Sequence, residues 1–194
     1  MDDKNRTLTT YVGDMHALEH HMLEPFQRQL ELTKDSPEAH QVVQQLVDTA
    51  RRHETALDAR VQQLGHPQKT VTDSVKAAVA ALFGVAAGAI DTVRPQQVSK
   101  ALRDSYTATN HAIIAYIMLQ TTAIALNDQE TATLAEQHLQ DCVHNAQAIA
   151  SVMPTLVIKD VSDDVGPVSP DLAKQVTSNK QVGSLYQSSN TAGA

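Results

Sequence analysis

Between Tyr11 and Leu30 the chain carries His16, Glu19, His20, His21 and Glu24 in one helical pattern. Apolar residues at three- and four-residue steps, Val12, Met15, Met22, Phe26 and Leu30, form a stripe that passes through Glu19. An inward carboxylate loses its hydration, at a cost of roughly several kcal/mol if it stays unpaired. Glu19 therefore calls for a cation, a metal ion or a hydrogen-bonding group from another helix. Two later patterns supply partners: His53 with Glu54, and His138 with Asp141, each on or beside an inward stripe. Carboxylates and imidazoles projecting from facing helices suit iron, and also manganese, because hard oxygen and borderline nitrogen donors match those ions. The expected metal set is Glu19, His53, Glu54 and His138, with His16, His20 and Asp141 in a second tier.

Other readings compete with this one. Glu19 could pair with Arg51, Arg52 or Arg103, and an inward histidine is often a hydrogen-bonded core residue. Cys142 lies inward and reads as a small buried hydrophobe. Asp141 and His144 have the i, i+3 spacing of acid and histidine used by di-iron bundles, but Glu-x-x-His occurs nowhere in the chain. The pattern beginning near Ser99 offers no Glu, only Asp104, His111 and the phenols of Tyr106 and Tyr116. Any site would be non-standard, and a symmetric homodimer that brings the His16, Glu19 and His20 face together twice is one way to complete it.

The elements that must position these groups are helical. Thr9 or Thr10 is the expected cap of a first helix running towards Leu32, with a kink at Pro25. Ser36, Pro37 and Glu38 start a second helix reaching Gly65, with Val43, Leu46, Val47, Ala50, His53, Leu57, Val61 and Leu64 inward. A shorter Ala-rich helix is expected from Thr72 or Asp73 to about Asp91. The next runs from about Ser99 to Leu126, with Leu102, Tyr106, Thr109, Ile113, Tyr116 or Ile117, Gln120 and Ile124 inward. Asn127 and Asp128 make a turn and cap, and the last helix, from about Glu130 to Val152, is expected to stop before Pro154.

Composition agrees with a single all-α domain: 194 residues, 42% hydrophobic, 7 Gly and 7 Pro. A net charge of -7 argues against nucleic acid and suits cations. The apolar run from Ala77 to Ile90 is shorter than the roughly 20 residues of a membrane span. One cysteine and a polar amino terminus without a signal-peptide core point to the cytoplasm. Residues 1–163 read as the bundle and 164–194 as a flexible C-terminal tail, polar apart from an apolar island at Val182, Gly183, Ser184, Leu185 and Tyr186.

Four long helices, one shorter one and a long connection after the second resemble a ferritin-like four-helix bundle. The segment 181–187, Gln-Val-Gly-Ser-Leu-Tyr-Gln, is similar to the C-terminal targeting peptides, built around Thr-Val-Gly-Ser-Leu, that load cargo into encapsulin shells. An apolar pair spaced by Gly and Ser on a polar tether supplies the reach and the two anchors of a docking peptide. The resemblance implies an iron-mineralising ferritin-like cargo that oxidises Fe(II), with di-iron as the expected cofactor and manganese as an alternative. Its implied partner is an encapsulin shell protein, inside whose nanocompartment it would reside. The competing function is a non-catalytic helical bundle with a buried polar network.

Overall fold

Polar crossings between helices set the topology. A computed structural model describes residues 3–65 and 97–176. Its long helices are α1 (Asp3–Leu32), α2 (Pro37–Gln63), α3 (Val98–Ala125) and α4 (Gln129–Val165), followed by a 3-10 turn, Pro170–Gln175. Gln29 of α1 bonds Ala101 and Ser105 of α3, and Glu19 meets Tyr116, so the two helices are antiparallel. Gln45 meets Asn145, His53 meets Asp141 and Arg60 meets Thr131, which makes α2 antiparallel to α4. Short turns join α1 to α2 and α3 to α4. The order is therefore up, down, down, up, with α2 and α3 diagonal and parallel, and α2 ends at the pole opposite the start of α3. This is the arrangement of a bundle with one long crossover. The shorter helix expected between Thr72 and Asp91 lies outside the described residues.

The core stripes of α1 and α2 follow the sequence pattern: Val12, Met15, Met22 and Phe26 are buried, as are Val43, Leu46, Val47, Ala50, His53, Leu57 and Val61. Three local expectations fail. Thr9 and Thr10 do not cap α1; they lie inside it, their hydroxyls donating to the carbonyls of Asn5 and Arg6 at 2.7 and 3.0 Å. Pro154 does not end α4, which continues to Val165 and closes at Gly166 (φ 96°). A proline in a helix interior costs about 3 kcal/mol, and tertiary contacts offset it: Leu156 is buried, Ser99 donates to Asp160, and Gln97 donates to Asp164 at 3.3 Å. In α3 Leu102, Thr109, Ile113 and Tyr116 lie inward as expected, with Ser105, Ala112, Leu119 and Ala123 beside them, Tyr106 and Gln120 are half-buried, and Ile117 and Ile124 face outwards. That helix is apolar around much of its circumference, so periodicity alone could not choose its face.

One unforeseen device pins the lower pole. Arg60 is buried, donating from Nε to Thr131 Oγ1 at 2.8 Å, from Nη1 to Glu130 at 2.6 Å and from Nη2 to both oxygens of Asp128 at 2.8 and 2.6 Å. Asp128 also caps α4 by accepting from the Thr131 N–H at 2.9 Å. A largely desolvated guanidinium with all three of its nitrogens engaged holds geometry better than an exposed ion pair does, and it fixes the register of α2 against α4. Among the described residues no helix is long and apolar enough to cross a membrane.

Candidate metal centre

Glu19 lies midway along α1 and is 1% exposed. Its Oε1 accepts from the Tyr116 hydroxyl at 2.6 Å and meets His53 Nδ1 at 2.9 Å. The other nitrogen of His53, Nε2, lies 3.1 Å from Asp141 Oδ2. With both carboxylates ionised, both contacts are donor bonds only from the imidazolium form of His53. The His138 ring stacks on His53, centroids 3.8 Å apart and planes 13° from parallel, and its Nδ1 lies 3.1 Å from the Tyr116 oxygen. Since the Tyr116 hydrogen goes to Glu19, that bond is donated by the Nδ1–H of His138. All four helices thus meet at one level of the core.

Electrostatics sharpen the roles. Burial, and then the charge of neighbouring His53, push His138 down to about 3, so it is neutral near pH 7. Burial followed by the Glu19 charge drives the Tyr116 phenol well above its ordinary value. Burial also pushes the Cys142 thiol up, with Glu19 and Asp141 adding to the effect. Burial would raise Asp141 too, but hydrogen bonds from His53 and Arg52 outweigh it and hold that carboxyl below the usual range.

The expected ligands divide. Glu19, His53, His138 and Asp141 are brought together, while Glu54 pairs with His20 Nδ1 at 2.7 Å on the outside of the α1–α2 seam. His16 is half-buried on α1 and has no hydrogen bond to the group, and His144 is exposed. Of the arginines considered for Glu19, Arg52 goes to Asp141 and Arg103 to its neighbour Asp104. Two site residues were outside the expected set. Tyr116 was one of two inward options on α3, and Cys142 was read as packing.

Cys142 changes what the site can do. One donor atom each from Glu19, His53 and Cys142 lie within 4.8 Å of one another, and all three residues are buried. An ion held at about 2.0 to 2.3 Å places its ligand atoms roughly 3 to 4 Å apart, so small side-chain shifts close this set around a cation. The donors fit chemically as well. A carboxylate and a thiolate cancel the charge of a divalent ion in the apolar core, and coordination removes the thiol proton. His53 would ligate through Nδ1 while Nε2–H stays on Asp141, the carboxylate–histidine–metal arrangement that orients a ligand ring. Tyr116 would hold Glu19 from behind.

Fold and centre together define a class, an all-α bundle of four long helices with a buried group able to bind a metal ion. Residues 4–162 match the family model described as Domain of unknown function (DUF892), and the chain belongs to that family. No curated protein and no solved structure matches it significantly.

The neutral state of His138 gives a pH signature. A histidine at about 3 when folded and near 6.5 when unfolded favours the fold only while neutral. Its contribution is whole above about pH 6.5 and is lost as pH falls towards and through 3, about 5 kcal/mol in total. Urea unfolding of metal-free protein between pH 7 and 4 is expected to show this decline, and His138→Gln to flatten it. Identical slopes in the two proteins would contradict the assignment. The lowered carboxyl of Asp141 acts only below about pH 4.

Proposed function

We propose that this protein binds ferrous iron in the core of its bundle and oxidises it, one electron per ion passing to dioxygen. The observation that carries this reading is the convergence of Glu19, His53 and Cys142 in one buried group. Borderline imidazole with carboxylate and thiolate suits Fe(II), and the two carboxylates near the centre, Glu19 and Asp141, favour one ion per chain over the four-carboxylate di-iron arrangement. Glu19 and Cys142 supply charge, His53 supplies the nitrogen, and Tyr116 and Asp141 keep Glu19 and His53 oriented. Coordination by Cys142 expels its thiol proton, so affinity rises with pH.

A second reading has its own support. Glu19, Tyr116, His53, His138 and Asp141 already form a continuous hydrogen-bonded set, which is what a purely structural buried network would look like. Metal binding separates the two. Chain purified without chelators is expected to hold up to about one iron per chain and to consume oxygen on addition of Fe(II). Glu19→Gln keeps an acceptor for Tyr116 but removes the charge, and should weaken binding by tenfold or more, about 1.4 kcal/mol. Wild-type protein that stays iron-free and does not oxidise Fe(II) would leave the structural network as the account.

The delivery of iron to a mineral rests on the tail. A bundle of this size has no interior for a mineral, so a surrounding shell is the natural site of deposition. We assign Val182, Gly183, Ser184, Leu185 and Tyr186 as the docking peptide for an encapsulin shell protein; these residues lie outside the described part of the structure. A fluorescent protein carrying residues 178–194 should co-purify with coexpressed shell. Failure to do so would remove the cargo role while leaving iron binding untouched.

A further inference from the structure

The buried group needs a way in. Glu19 and His53 are each 1% exposed and Cys142 is 3% exposed, so no ion reaches them through the static structure. Among the described residues, one partly exposed side chain is hydrogen-bonded to a member of this buried group. Asp141 is 39% exposed at its side chain, and its Oδ2 carries the contacts to both His53 Nε2 and Arg52 Nη2, at 3.1 and 3.0 Å. Among the described residues no hydrogen bond engages Oδ1. The rest of this seam is fastened. Gln45 bonds Asn145 at 2.8 Å on one side, and the Arg60 clamp holds the other, each about two helical turns along α2 from His53. On the α1–α2 side, His20 and Glu54 pair with each other.

We propose that Asp141 is the transfer carboxylate that takes a divalent cation from solvent and passes it inward to Glu19, His53 and Cys142, and that Arg52 is the latch that closes this doorway. The inference rests on the metal-binding reading above and adds a route and its control. Asp141 has the attributes of a first contact: negative charge, exposure, an uncommitted oxygen, and a bond to the ring that forms the wall of the site. Arg52 has those of a latch. It places a positive charge where a cation must arrive, and its own side chain is 60% exposed. An ion pair so exposed is weak, so it opens readily and swings into solvent without disturbing the core.

Two charge-removing substitutions then act in opposite directions. Asp141→Asn keeps a carbonyl acceptor for His53 but loses the charge, and is expected to slow uptake of Co(II) by about tenfold and to weaken affinity through the less firmly held His53 ring, while the absorbance at saturating Co(II) still reaches the wild-type value. Arg52→Gln is expected to speed uptake and to weaken its dependence on ionic strength. If the pair merely ties α2 to α4, both variants loosen the seam and shift the rate the same way. Stopped-flow mixing of the metal-free full chain with Co(II) alone reads the rate and the end point separately. Rates within about twofold of wild type in both variants, or changes of one sign, overturn the proposal. So does a changed Co(II) spectrum at saturating metal in Asp141→Asn, which would make Asp141 a permanent ligand. Arg52 is exposed, so its variant reports even if Asp141→Asn folds poorly. A wild-type chain that takes up no Co(II) removes the metal-binding reading itself, an outcome distinct from equal rates among proteins that all bind.

Discussion

The structure turns on a carboxylate that has been taken out of water. Glu19 is almost fully buried, and a charge in that position must be matched within hydrogen-bond distance or it unfolds its surroundings. The match is made by Tyr116 from α3 and His53 from α2, and His53 is in turn tied to Asp141 from α4. Satisfying one oxygen thus brings four helices to a common level. The apolar stripes then have little freedom of register, because sliding any helix by a turn would strand at least one of these groups.

The same arrangement explains why a metal ion is a natural occupant. Cys142 adds a donor that the hydrogen-bonded set does not use, and burial holds its thiol protonated in the absence of a cation. A divalent ion reverses that balance. On the proposed reading it would convert the thiol to a second negative charge, give Glu19 a cationic partner, and leave the bond between His53 and Asp141 in place. If the proposed ion binds, the hydrogen bonds hold its ligands in place beforehand, and the cost of burying Glu19 is met in either condition.

Much of this was legible in the sequence. Glu19 interrupting the stripe of α1, and His53 and His138 falling on the stripes of α2 and α4, follow from helical periodicity alone. What escaped did so for identifiable reasons. Adjacent residues on a helix point about 100° apart, so Glu54 beside His53 had to leave the core when His53 entered it, and it meets His20 outside. Asp141 was expected near His138 and is indeed in the group, but its bond to the His53 ring is a long-range contact that no local pattern encodes. Tyr116 was hidden by the nearly uniform apolarity of α3, where Ile117 served equally well as an inward choice. Pro154 gave a local stop signal that packing of Leu156 and the ties to Gln97 and Ser99 override.

Cys142 is the residue whose role most separates this account from a standard carboxylate-bridged bundle. The most direct test is X-ray absorption at the metal edge of the loaded protein. The account predicts one sulfur neighbour at about 2.3 Å together with nitrogen and oxygen neighbours at about 2.0 to 2.2 Å, the sulfur signal vanishing in Cys142→Ser. A bound ion surrounded by nitrogen and oxygen alone in the wild-type protein would contradict it.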